Sequence, residues 1–197
     1  MPKVSDQHRQ ERRRQILAAA LRCFAGKGFH ATSMADIIAE SGLSAGAIYG
    51  HYASKNDLIN SVAAEVFSPG RPEMGETFAE PGPVMHPVDF AARLLNGVVT
   101  ELGNTSIVVQ VWGQAAVEDS MRVTFMGVYE RLFARLRRQI VEWLQTERGV
   151  DTADAEDRAD GLTRLLIGLA QGGLIQRTFI TGFDLDAYLD AARPLFD

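Results

Sequence analysis

The residue types that most often carry catalysis or bind metal are scattered in this 197-residue chain. His8, His30, His51 and His86 show no His-x3-His spacing, and the single cysteine, Cys23, can neither close an internal disulfide nor build a cysteine zinc site. No Gly-x-Ser-x-Gly elbow, P-loop or dinucleotide glycine fingerprint is present. The expectation is therefore no catalytic residues, no metal and no cofactor, with a small all-α lyase or transferase as the enzymatic alternative. The spaced chemistry lies between Thr32 and Leu58. Ala45, Gly46 and Ala47 follow the cap Ser44 and leave the first turn of a short helix nearly bare. Such a helix start lets backbone amides approach phosphate oxygens or base edges. Tyr49, His51, Tyr52 and Lys55 follow with hydrogen-bond donors suited to flanking phosphates. Tyr49 and Lys55 are read as phosphate contacts and Tyr52 as core packing, while His51 fits either role.

Local signals place these residues on helices. Ser33-Met34-Ala35-Asp36 has the form of a capping box, with Asp where Glu is usual. It opens a short helix with Ala35, Ile38 and Ala39 as the expected inner face. Gly42 stops that helix where a left-handed residue is needed. Ser44 caps the next helix, expected over 45–51 with Ile48 pointing inward. Ser54-Lys55-Asn56-Asp57 caps a further one. Two short helices joined by a glycine-containing turn form a helix-turn-helix, whose second helix lies in the major groove and needs small or polar residues there. In front of it, Ile16, Leu17, Ala20, Leu21 and Phe24 share one face of a helix over 9–26, which Lys27-Gly28 ends.

Charge supports this division. Net charge is −5, yet residues 1–60 carry +3 and residues 61–197 carry −8, the asymmetry expected if one end meets phosphate. Residues 68–87 hold five of the seven prolines and read as a linker between a domain over 1–67 and a larger one over 68–197. In the second domain, apolar residues recur at helical spacing over 88–102, 120–147, from 162 onward and from 185 onward. Ile107–Trp112 reads as a buried helix because no other segment offers a strand partner. Arg131, Arg135 and Arg138 are expected to face solvent. The fold class is all-α. No apolar stretch suits a signal peptide or a membrane span, so a cytoplasmic protein with no membrane partner is expected.

Three runs of sequence carry a family resemblance: Gly28-Phe29-His30-Ala31-Thr32-Ser33-Met34-Ala35-Asp36-Ile37-Ile38-Ala39, then Ser41 through Tyr52, then Ser54-Lys55-Asn56-Asp57-Leu58. Together they resemble the DNA-binding domain of the tetracycline-repressor (TetR) family, over roughly residues 10–65. Tyr52 stands where that family usually has phenylalanine. The resemblance implies an Ω-shaped homodimer on double-stranded operator DNA, with a small-molecule effector pocket in the C-terminal domain. It implies repression, and DNA contact from Thr32, Ser33, Ser44, Gly46, Ala47, Tyr49, His51 and Lys55, to which the bare first turn adds Ala45. It also implies that 155–181 and 184–196 form a four-helix dimer interface. Gly168 and Gly172, at i, i+4, call for a close helix approach, either there or within one subunit. Pocket candidates are Phe90, Leu94, Trp112, Met126, Tyr129 and Phe133, with Gln110 and Gln171 as polar anchors. Aromatic stripes at helical spacing are also ordinary core. A dimer that binds DNA without an effector is the further alternative.

Overall fold

The computed structural model describes residues 6–66 and 83–196, and among these no strand occurs. The helices are α1 (Asp6–Ala31), α2 (Met34–Ser41), α3 (Ala45–Tyr49), α4 (Lys55–Val66), α5 (Pro87–Leu102), α6 (Ser106–Val117), α7 (Asp119–Thr146), α8 (Thr152–Phe179) and α9 (Leu185–Ala191), followed by a 3-10 turn, Arg193–Leu195. Of the proline-rich segment read as a linker, 68–87, residues 68–82 lie outside the described residues. The chain falls into two compact units, 1–67 with 106–125, and 68–105 with 126–197.

In the first unit, Ile16, Leu17, Ala20 and Phe24 of α1 are buried as the periodicity predicts, and Ala19 joins them. Gly28 breaks the helix with φ 82° and ψ 165°, a backbone conformation that glycine adopts without a Cβ penalty. One more turn follows it, and Phe29 returns to meet Phe24 edge to face at 5.0 Å. The capping box is present, Ser33 accepting from the Asp36 amide while the Asp36 carboxylate accepts from the Ser33 amide. Gly42 is left-handed at φ 67°. The inner face of α2 is Ile37 with Ser41, whereas Ala35 and Ala39 are exposed. Ile38, also expected on the inner face, is half-buried, so the helix is rotated by about one residue from the expected register. Ile107, Val108, Val111 and Ala115 of α6 are buried, and α6, a helix as expected from Ile107–Trp112, packs on α1.

The second unit is built on α8, whose Ala155, Ala159, Thr163, Leu166, Ile167 and Leu174 are buried. Leu136, Ile140, Trp143 and Leu144 of α7 and Val88, Phe90, Ala91, Leu94 and Leu95 of α5 supply further core. The short helix α9 lies against α8 and α5. A Cβ on Gly173 would sit 2.7 Å from Leu185 Cδ1, and one on Gly172 would sit 3.1 Å from the Tyr188 hydroxyl. These two glycines therefore serve packing inside one subunit, while Gly168 is exposed with nothing near its missing Cβ. Arg193 of the 3-10 turn pairs with Asp89 of α5, and the guanidinium holds the Asp89 carboxyl below its ordinary range. Arg135 departs from the solvated face expected of it. It is buried, with its guanidinium 5.3 Å from the Phe90 ring centroid, an arrangement that the ring quadrupole favours.

Candidate nucleic-acid interface

The α2–turn–α3 segment is held by short-range bonds that its sequence dictates. Ser44 accepts from the Ala47 amide and so starts α3. Ser54 and Asp57 bond reciprocally at the start of α4. Ile48 is fully buried, which fixes the rotation of α3 and turns Ser44, Ala45, Gly46 and Tyr49 outward. Tyr49 is 51% exposed. Ala47 and His51 are partly covered. No atom lies within 4 Å of a Cβ placed on Gly46, so the entry turn of α3 is open to close approach.

Ion pairs join α1 to α2. Lys27 donates to Asp36 at 2.5 Å and Arg22 to Glu40 at 2.6 Å. The Lys27 ammonium, helped by the Ser33 hydroxyl and amide, holds the Asp36 carboxyl below the usual carboxylate range. Ser33 is exposed, but its hydroxyl donates to that same carboxylate at 2.6 Å. Burial pushes the nearby Cys23 thiol upward, away from the thiolate form that reactivity requires.

Two expected DNA contacts stand elsewhere. Thr32 is 1% exposed, and its hydroxyl donates to Gly28 O at 2.8 Å. The Thr32 amide donates to the same carbonyl at 3.2 Å, so side chain and backbone together close the last turn after the glycine kink. Lys55 directs its ammonium to Phe29 O, His30 O and Thr32 O at 2.9, 3.2 and 3.1 Å. An ammonium has three protons, so these carbonyls at the end of α1 take its whole donor capacity. Lys55 thus ties α4 to α1. Tyr52 is buried, in agreement with its core reading, and burial raises its phenol pKa.

The expected pocket residues divide between the units. Gln110 and Trp112 belong to the first, and Phe90, Leu94, Met126, Tyr129, Phe133 and Gln171 to the second. Gln110 accepts from the Phe29 amide at 2.9 Å and donates to Phe24 O at 3.3 Å. It bridges the two sides of the α1 kink, and the expectation of a ligand anchor gives way to a structural use. Trp112 is half-buried and Met126 is 40% exposed. In the second unit, Phe90 and Leu94 are buried, and Gln171 is half-buried. The Tyr129 and Phe133 rings stack 6.2 Å apart, and the Arg164 guanidinium lies 5.0 Å from the Phe133 centroid.

A cationic contribution from α1, absent from the expected contacts, adjoins the face of α3. His8, Arg9 and Arg12 line a groove of about 560 Å³ with Gly42, Leu43, Ser44, Ala47 and His51. The signal available was the i, i+3 spacing of Arg9 and Arg12 on a polar helix start. Among the described residues, no group of three His, Cys, Asp or Glu side chains could hold a metal ion, and no helix is long and apolar enough to cross a membrane.

Residues 16–62 match the sequence pattern of bacterial regulatory proteins of the tetR family. Over 164 residues the chain is 31% identical to the HTH-type transcriptional repressor AcnR of Corynebacterium jeikeium, covering 83% of this chain and 75% of that protein. Two further curated relatives match over 61 and 65 residues, about a third of their own length. Among solved structures, Salmonella enterica GusR superposes with a TM-score of 0.72 at 24% identity, covering 99% of this chain and 97% of that one. FadR from Bacillus subtilis, solved in complex with stearoyl-CoA, gives 0.69 at 18% identity, covering 93% and 97%. The two structures attest the fold. The relatives are transcriptional regulators and not enzymes. With a helix-turn-helix built by its own caps and a repressor matched over most of both chains, this chain belongs to the tetR family of bacterial regulatory proteins.

Proposed function

We propose that the chain represses transcription as a homodimer on a pseudo-palindromic operator and leaves it when a small apolar or amphipathic effector binds. The observation that carries the DNA reading is the open first turn of α3, with Ser44, Ala45, Gly46 and Ala47 at the entry and Tyr49 exposed at the far end. A helix so bared can enter a major groove, whereas a bulky first turn would be held off by the bases. In this reading, Ser33, Ser44, Ala45, Gly46, Ala47, Tyr49 and His51 face the duplex, and Thr32 and Lys55 hold the frame. The domain over 1–67 reads DNA, and that over 68–197 dimerises and senses. A regulator of this kind acts in the cytoplasm, where the DNA is.

Dimerisation is assigned to α8 and α9. Leu165, Gly168, Ile175 and Phe179 are exposed on α8, Phe179 at 73%. They recur at i, i+3, i+10 and i+14, an apolar stripe along one face that a second copy would cover. The effector site is assigned to the second unit, near Phe90, Leu94, Tyr129, Phe133 and Gln171. The bound stearoyl-CoA of the FadR structure supports an apolar chain as one class of effector.

The test is enrichment of random duplexes by the full-length protein, followed by titration against the enriched sequence. Specific binding should fall steeply with salt, at a slope of about −0.9 per neutralised phosphate. Ala47→Leu should abolish it by blocking groove entry. If no sequence is enriched and no salt-sensitive affinity appears, the regulator reading fails for this chain.

A further inference from the structure

The groove between α1 and the turn before α3 has a composition that the exposed face of α3 does not explain. His8, Arg9 and Arg12 line one wall, while Gly42, Leu43, Ser44, Ala47 and His51 line the other. Among the described residues that line it none is a carboxylate, although acidic side chains pair with cations elsewhere on the same unit, as at Arg22–Glu40 and Lys27–Asp36. Arg12 is also held in place. Its Nη1 donates to Gln15 Oε1 at 3.0 Å, and Gln15 Nε2 donates in turn to Ser41 O at 3.0 Å. Ser41 is the last residue of α2 and Gly42 its left-handed cap, so the guanidinium is tied through one amide to the turn of the helix-turn-helix. A preset guanidinium gives up less side-chain freedom on binding an anion than a free one does.

We propose that this groove takes a backbone phosphodiester of the duplex, flanking the bases read by α3. Arg9 and Arg12 are its ligands, and Gln15 is a positioning residue. The inference rests on the DNA reading above and adds residues to it. A groove of about 560 Å³ has room for a sugar–phosphate stretch. Leu43 and Ala47 supply apolar wall, and the arginines supply donors in the fork geometry that matches phosphate. Free phosphate would meet the same donors, but only a phosphodiester continuous with the bases on α3 is held by both at once.

The experiment uses the full-length protein and its enriched duplex, with single neutral methylphosphonates placed in turn at each backbone position of a half-site. Wild-type protein should lose affinity at a small set of positions. Arg9→Ala/Arg12→Ala should bind the unmodified duplex roughly tenfold or more weakly. Its salt slope should fall by about 2, one phosphate from each subunit. One methylphosphonate position beside the bases read by α3 should then cease to matter. Gln15→Met, which keeps both arginines, should weaken the response at that same position and leave the others unchanged. Circular dichroism checks that α1 is intact in each variant. Should the double variant keep wild-type affinity and slope while Ala47→Leu abolishes binding, the DNA reading stands and the groove is not a phosphate site. A loss of affinity spread evenly over all positions also overturns the proposal, because it reports long-range charge alone. If the wild-type protein enriches no duplex, the regulator reading and the phosphate site both fall.

Discussion

Lys55 shows how a cation of the expected type, near the expected place, can serve a different end. Three carbonyls at the close of α1 occupy its ammonium, and each is an acceptor that the broken helix would otherwise leave to solvent. Lys55→Met should therefore lower unfolding free energy by about 1.5–3 kcal/mol, the range for hydrogen bonds to a charged group. It should leave the salt slope of duplex binding unchanged, a pair of outcomes that urea titration and binding titration read separately. A second residue-scale effect concerns pH. The Asp36 carboxyl is held below its usual range by Lys27 and Ser33, so its folded form binds a proton less readily than the unfolded chain does. The stability it contributes is present above the unfolded carboxylate pKa of about 3.9 and is lost as pH falls through the lower folded value. Asp36→Asn should flatten the acid limb of a stability–pH curve below about pH 4 while leaving its slope near neutrality unaltered.

At the scale of elements, two close approaches decide how helices meet. Gln110 of α6 spans the α1 kink, bonding Phe29 N and Phe24 O. Gln110→Leu leaves a part-buried amide without that acceptor, and a cost of about 1–3 kcal/mol is expected in thermal unfolding. Between α8 and α9, Gly173 lets Leu185 approach so closely that an added methyl would meet it at 2.7 Å. Because Leu185 is itself buried, it has little room to retreat. Gly173→Ala should cost about 1–3 kcal/mol despite the gain in helix propensity. Gly168→Ala, where the space is open, should keep or raise the stability of an isolated subunit. Comparing the two melting temperatures separates packing from propensity.

For the whole molecule, the same α8 face sets up the test of assembly. Gly168→Phe should yield monomers in sedimentation and lose operator affinity although the helix-turn-helix is untouched, because two half-sites roughly 34–36 Å apart must be held in register. A wild-type protein that sediments as a monomer at micromolar concentration would sink the interface assignment. An effector lowers operator affinity only by as much as it prefers the conformation that does not bind DNA. A coupling of about 1–3 kcal/mol corresponds to a 5- to 150-fold loss, and operator must weaken effector binding by the same factor. A saturated acyl thioester is a suitable first probe. Equal affinities with and without operator would leave a binding site but no switch.

Much of the DNA-reading half was legible in the residues. Caps, the left-handed Gly42 and the small residues after Ser44 act within a few positions of one another, so local chemistry alone predicts α2, the turn and α3. The buried Ile48 then sets which side of α3 faces outward. Helical period likewise marked α5, α7 and α8, and Ile107–Trp112 is helical, with no strand among the described residues. What sequence spacing left open depends on distance in the chain. Lys55 looks free until the end of α1 is brought beside it. Gln110 lies 81 residues from the amide it satisfies, and Arg135 looks like a surface cation until Phe90 is placed against it. Gly172 and Gly173 announce a close contact but not its partner, which is α9. The physical reason is common to all five. A polar group or a missing side chain states what it needs, a donor, an acceptor or space, and only the packing of distant helices determines which group supplies it.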